Sequence, residues 1–296
     1  MEVHVTGGTG FVGSHLCNKL AENGHDVVAV SRNPDESPVG IDGSVERREG
    51  DVTEAGTLDF SGADVVVHLV SLSPLVKPRG TTHHDVTAEG TRNVVDACEN
   101  DGVDRLVHMS ALGADTDGET AYIRAKGEAE DAVSVSSLDA TVFRPSVVFG
   151  DGGEFVSFTK LLTTPYVTGL PGGGDTRFQP IYVGDLVEAV AETVENDEHT
   201  GETYEIGGPE RLTLAEMSRS VYEAEGRSLV VVPVPMPLAR VGLALADPLP
   251  FVPMGSDQYA SLKFDNVVEG TNGIGVFVPV DELTTFDGWL GFEDGQ

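Results

Sequence analysis

The segment TGGTGFVG, residues 6–13, constrains this chain more than any other stretch of its length. It follows the apolar run EVHV and leads into FVGSHLCNKLAENG, whose apolar residues recur at helical spacing. Glycines at 7, 10 and 13, set between a strand and a helix, predict a turn that brings backbone close to a bound phosphate. Gly7 and Gly8 permit the turn, Gly10 admits a pyrophosphate, and Gly13 lets the helix lie against the sheet. Thr9, Phe11 and Val12 complete it, with free N–H groups and the positive end of the helix dipole directed at an anion. A tight turn that binds nothing is the competing reading.

Strand-length apolar runs alternate with helix-length segments through the first half: HDVVAVS, VERREGD, ADVVVHLV, a helix near 82–100, then DRLVHMS. This alternation predicts an α/β chain with a doubly wound parallel sheet, the Rossmann arrangement. The unbroken cores VVAV and VVVHLV point to strands covered on both faces. After residue 150 the pattern loosens into Gly- and Pro-rich loops. The expected division is a dinucleotide-binding domain at 1–148 plus 178–208 and a smaller, C-terminal substrate lobe at 149–177 plus 209–296. Thr213 and Glu216 have capping-box spacing. In the proline-rich stretch 228–254, PLARVGLALADPL reads as a helix of about three turns with Pro237 at its first position.

Acidic residues outnumber basic ones 49 to 18, a formal net charge of −31. They are spread along the chain, the pattern of a hydrated surface suited to concentrated salt and of a salt-loving source. With no basic stripe to neutralise phosphates, nucleic acid is excluded as a partner. No metal-ligand spacing is visible. Cys17 and Cys98 fall in helical stretches and are expected to be reduced, consistent with a cytoplasmic location, as is a start that enters a strand without a signal peptide. Prolines at 233, 235, 237, 248, 250 and 253 argue against a simple membrane span.

The second strand ends in Ser31 and Arg32, where an NAD-preferring site carries an acidic residue for the ribose hydroxyl. A hydroxyl and a guanidinium suit a 2′-phosphate, so NADP(H) is expected in preference to NAD(H). Asp51, after the third strand, is a candidate for the adenine side.

Taken in order, TGGTGFVG, EGDVT, VVVHLVS, HHDVTAEGTRNVVDAC, RLVHMSALGA, YIRAK, FRPSVVFG and QPIYVGDLVEAV resemble the extended short-chain dehydrogenase/reductase superfamily. Within it, SALGAD, FRPSVVFGDGG, FQPIYVGDL and YEIGGPERLTLAEM are most similar to an atypical group. That group includes the accessory NADPH-binding subunit of respiratory complex I and relatives labelled sugar epimerases. The resemblance implies that Val52, Leu69, Val70, Ser71, Pro145 and Val148 help enclose the cofactor.

It also implies a proton-transfer site of Ser110, Tyr122 and Lys126. Residues four apart share a helix face, so Tyr122 and Lys126 can point at one cofactor. In the superfamily the Lys binds the nicotinamide ribose and its charge lowers the phenol pKa. The Tyr then exchanges a proton with substrate, and the Ser bonds the same oxygen. This chain departs from the pattern at Thr87, where relatives carry Asn; Asn93 is not a substitute. His68, His83 and His84 are expected to be structural or solvent-facing.

Sugar-nucleotide enzymes of the superfamily use cations of the second lobe, and Lys160, Arg177, Arg211 and Arg219 are the candidates. The apolar 228–254 segment suits three roles: a packed core, a lid over an apolar substrate such as a quinone or isoprenoid, or a surface for a membrane-bound or respiratory partner. Two functions stay open: an oxidoreductase or epimerase-type enzyme, and a non-catalytic NADPH-binding assembly or redox-sensing subunit. A monomer and a homodimer are both compatible with the sequence.

Overall fold

The computed structural model describes residues 1–75, 80–246 and 256–292. Its first six strands are β1 (Glu2–Thr6), β2 (Asp26–Ser31), β3 (Glu46–Glu49), β4 (Val65–His68), β5 (Arg105–Met109) and β6 (Asp139–Pro145). Four strands follow: β7 (Val148–Phe149), β8 (Tyr166–Pro171), β9 (Arg177–Phe178) and β10 (Ile181–Tyr182). The chain then returns to the main sheet with β11 (Thr203–Ile206) and ends with β12 (Leu212–Thr213) and β13 (Leu229–Val234). The helices are α1 (Phe11–Glu22), α2 (Gly90–Asp101), α3 (Ala121–Ser134), α4 (Glu154–Leu162) and α5 (Val183–Glu195). Then come α6 (Leu214–Glu223), α7 (Met236–Ala246), α8 (Ser256–Ser261) and α9 (Phe286–Trp289).

Seven strands pair in the order β11-β6-β5-β4-β1-β2-β3, every pair parallel. This is the expected doubly wound sheet. Strand order reverses beside β1, which lies between β4 and β2, so a crevice opens where the chains leave in opposite directions. Alternation along the strands supplies two cores. Val3, Val5, Val65, Val67 and Phe143 pack with Leu16 of α1 and Leu186 of α5. Val28, Val66, Leu106 and Val142 pack on the other face with Val94 and Cys98 of α2. Cys17 and Cys98 therefore belong to opposite faces, and burial raises both thiols to about 12, so each stays a protonated thiol.

Two features differ from the sequence expectation. The helix placed near 82–100 opens with a π-helical turn at His84–Glu89 before α2 begins at Gly90. Helix α7 starts at Met236, one residue earlier than expected, so Pro237 takes its second position; either position lies in the first turn, where no N–H is required. The rest of that predicted helix, from residue 247, lies outside the described residues. Thr213 does cap α6: its hydroxyl accepts from Glu216 N–H at 3.1 Å and the Glu216 carboxylate accepts from Thr213 N–H at 2.8 Å.

Candidate functional site

The glycine turn sits at the mouth of the crevice. Gly7 adopts φ +73°, the left-handed region that favours glycine. A Cβ on Gly13 would lie 2.1 Å from Gly7 O, so only glycine lets α1 approach the turn. Gly10 caps α1 without a side-chain hydrogen bond. The amides of Phe11, Val12 and Gly13 consequently have no intrahelical partner, and all three residues line the cleft. An anion fits this cradle. Gly8 does not line it; the residue packs against Ala29 of β2.

The cleft has a volume of about 1320 Å³. Gly7, Thr9 and Gly10 line it at one end, with Ser31, Arg32, Asp51 and Val52 beside them. Thr9 donates to Ser31 Oγ at 2.9 Å, which leaves the Ser31 proton for another acceptor. Arg32 is exposed and has no side-chain partner among the described residues. Asp51 accepts from Thr53 N–H and Oγ1 at 2.9 and 2.8 Å, a local turn that holds the carboxylate in place. Leu69, Val70 and Ser71, which follow β4, line it too, as do Pro145, Val148, Tyr122, Lys126 and Ser110. Apart from Gly8, every residue expected from the sequence on the cofactor side or in the proton-transfer site is on the cleft.

Thr120 caps α3, accepting from Ile123 N–H, and so sets Tyr122 and Lys126 one turn apart. Lys126 is 2% exposed, and its Nζ donates to Met109 O at 2.6 Å. Burial pushes the amine down to about 7, and the nearby Glu130 charge opposes that shift. Tyr122 is half-buried on the cleft wall, its ring 5.5 Å from His83 in an edge-on contact. The expected lowering of the phenol pKa is not what this geometry produces. Desolvation raises it well above its ordinary value of 10.0, because a buried phenolate loses water.

Ser110 shares the cleft but its proton is committed elsewhere. The residue is 3% exposed and Oγ donates to the Glu130 carboxylate. That carboxylate also accepts from Arg144 Nε at 2.9 Å and from a terminal nitrogen of the same guanidinium. No hydrogen bond joins Ser110 to Tyr122 or Lys126 among the described residues. Ser110 can therefore present lone pairs to a ligand while Glu130 holds its proton. Sequence reasoning missed Glu130, whose one signal is its place four residues after Lys126, one more turn along the same face.

Thr87 stands within the π-helical turn, its hydroxyl 3.1 Å from Ser71 Oγ and its carbonyl accepting from Thr91 Oγ1 at 2.6 Å. Asn93 donates to Val52 O at 2.8 Å and takes no part in this arrangement. Below it, His68 bonds Thr6 at 2.7 Å and Thr91 at 3.0 Å and stacks on His108. Burial lowers His68 to about 3 and holds His108 well below the usual imidazole range, so both are neutral. His84 is exposed, within 3.3 Å of Glu128. His83, given no role from sequence, is buried against Tyr122.

None of the second-lobe cations expected from sequence lines the cleft. Lys160 pairs with Glu225, Arg177 with Asp265, and Arg211 donates to Val268 O. Arg219 lies close enough to Glu216 to help hold that carboxyl below its usual range. Among the described residues no group of side chains could hold a metal, and no helix is long and apolar enough to cross a membrane.

Comparison with known proteins places this geometry. Residues 3–207 match the NAD dependent epimerase/dehydratase family. The chain belongs to that family. It is 29% identical over 278 residues to the mitochondrial NADH dehydrogenase [ubiquinone] 1 alpha subcomplex subunit 9 of Arabidopsis thaliana, covering 89% of this chain and 68% of that one. For the Neurospora crassa NADH-ubiquinone oxidoreductase 40 kDa subunit the figures are 28% over 227 residues, 73% and 58%, so the chain spans under two thirds of that relative. A nucleoside-diphosphate-sugar epimerase structure from Staphylococcus aureus superposes with a TM-score of 0.75 at 20% identity, covering 98% of this chain and 99% of that one. At that identity the likeness establishes the fold. The chain is thus similar in sequence to these NADH dehydrogenase subunits and in shape to the epimerase structure.

Proposed function

We propose that this protein is a cytoplasmic NADP(H)-dependent oxidoreductase or epimerase-type enzyme that uses Tyr122 and Lys126 as its proton-transfer pair. The carrying observation is the placement of both residues, one helical turn apart, on a cleft whose other end is an uncapped helix N-terminus. A bound nicotinamide dinucleotide supplies the hydride chemistry. The amides of Phe11, Val12 and Gly13 hold its pyrophosphate, and Ser31 and Arg32 meet its 2′-phosphate.

Tyr122 is a neutral phenol at pH 7, so it serves as proton donor to a substrate carbonyl oxygen. Lys126 Nζ, titrating at about 7, restores that proton or takes it up in the reverse direction. Ser110 accepts from a substrate hydroxyl because its own O–H is donated to Glu130. Replacing Tyr122 by Phe removes one proton and one oxygen. With NADPH and a turned-over carbonyl substrate, we expect Tyr122→Phe to lower kcat by about 10²–10⁴-fold with cofactor affinity retained. Unchanged kcat rejects the assignment.

A second reading is favoured by the surface. Val167 and Val230 face each other across the β8–β13 pair, and with Tyr166, Val232, Leu238 and Val241 they are exposed. Such an apolar strip suits a subunit seated on an apolar protein of a respiratory assembly, as the names of the sequence relatives suggest. Stable co-isolation with membrane respiratory proteins, lost in Val230→Asp, together with no turnover, supports this alternative.

A further inference from the structure

Two cations line the cleft among the described residues: Arg32 at the nucleotide end and Lys126 beside Tyr122. Past Tyr122 the walls change character. Phe155 and Phe158 project from α4, Phe178 from β9, and Leu262 and Phe264 from the segment after α8. Phe264 is half exposed although aromatic. The charged residues on this side are carboxylates, including Asp115, Asp117, Asp265 and Glu269.

The guanidinium nearest these walls is already engaged. Arg177 donates to Asp265 through Nε at 2.9 Å and Nη2 at 2.6 Å, and its backbone N–H bonds the other carboxylate oxygen at 2.8 Å. Lys263, next to Phe264, pairs with Glu119 at 2.7 Å and ties the segment after α8 to the loop before α3. A diphosphate laid along this side would meet carboxylates without a guanidinium on the cleft wall to offset them: Arg124 and Arg211 do not line it, and each donates to a backbone carbonyl, Gly118 O and Val268 O. An uncharged ligand meets no such opposition and gains from the aromatic walls. Its single polar requirement is an oxygen near the Tyr122 hydroxyl, which has no hydrogen-bond partner among the described residues.

We propose that the ligand seated against Tyr122 is an uncharged, mainly apolar ketone or secondary alcohol, and not a sugar nucleotide. This rests on the oxidoreductase reading of the same site. The walls contribute contact area and water exclusion, and the ring of carboxylates around them turns anionic ligands away.

Equilibrium dialysis of the full chain, loaded with NADPH in about 2 M KCl, tests it with cyclohexyl methyl ketone, decalone, benzophenone and UDP-galactose as probes. At least one ketone is expected to bind at least about tenfold more tightly than UDP-galactose. In Phe158→Asp and Phe264→Asp that ketone should lose about tenfold or more in affinity with NADPH binding preserved. UDP-galactose binding as tightly as the best ketone, no binding by any ketone, or ketone binding indifferent to both variants overturns the proposal. Turnover in the same samples reports separately on the underlying reading. A ketone bound but never reduced defeats the oxidoreductase and leaves the pocket's preference standing; a sugar nucleotide bound and converted does the opposite.

Discussion

Arg144 grips the carboxylate of Glu130 through Nε and a terminal nitrogen, and that carboxylate is also where Ser110 sends its proton. Glu130 thus connects β6 to α3 and to the end of β5. The side chains are 28% and 14% exposed, so solvent moderates what the ion pair contributes. We expect Glu130→Gln to cost about 1.5–3 kcal/mol in urea unfolding, the range for hydrogen bonds to charged groups. Because Glu130 holds Lys126 up, the variant should also move the corresponding limb of the pH–rate profile to lower pH.

Burying Lys126 has a pH signature. Unfolded, the amine titrates at its ordinary 10.5; folded, at about 7. Between those values the unfolded chain holds the extra proton, so stability climbs as pH rises through that window. Above 10.5 the penalty is gone, and below about 7 it is complete. Thermal melts of Lys126→Met from pH 7 to 10 should show a flatter climb than wild type and a higher Tm at pH 7. A steeper climb rejects this account of the buried amine.

His108 offers two ring nitrogens that are buried without a hydrogen-bond partner among the described residues. Its pKa is lowered first by burial, then by His68 and Lys126. Below the ordinary value of 6.5 the unfolded chain takes up a proton that the folded chain refuses, so stability falls as pH falls. His108→Leu replaces unsatisfied polar atoms by an apolar side chain and should stabilise by about 1–2 kcal/mol at pH 7. The gain should widen at pH 5. Melting curves at both pH values check the sign.

A net charge of −31 predicts strong dependence on salt. The screening length falls from ~10 Å at 0.1 M to ~3 Å at 1 M, which removes most self-repulsion among exposed carboxylates. Tm should rise steadily with KCl, and by more than sucrose of equal osmolality produces.

The sheet and the cofactor end of the cleft were legible because they depend on local backbone chemistry: glycines at 7, 10 and 13, and valine runs of strand length. Tyr122 and Lys126 were legible through helical spacing. Ser110 was found, but its direction was not, since Glu130 in sequence looks like one more surface carboxylate among 49 acidic residues. The two orphan nitrogens of His108 had no sequence signal, because they follow from which strands lie beside β5. The pairing of Arg177 with Asp265 was hidden for a related reason: their 88-residue separation is closed by folding alone. The second lobe is made of short strands and loops, where tertiary contacts outweigh propensity.

Titration of NADPH and NADH by nicotinamide fluorescence, in wild type, Arg32→Ala and Gly13→Ala, tests the central claim of a phosphate cradle at the turn with a 2′-phosphate site beside it. Wild type should bind NADPH at least about tenfold more tightly than NADH, a margin that Arg32→Ala erases. Gly13→Ala should lose both ligands, since its Cβ would lie 2.1 Å from Gly7 O. Equal affinity for the two nucleotides in wild type, or wild-type binding by Gly13→Ala, contradicts the account.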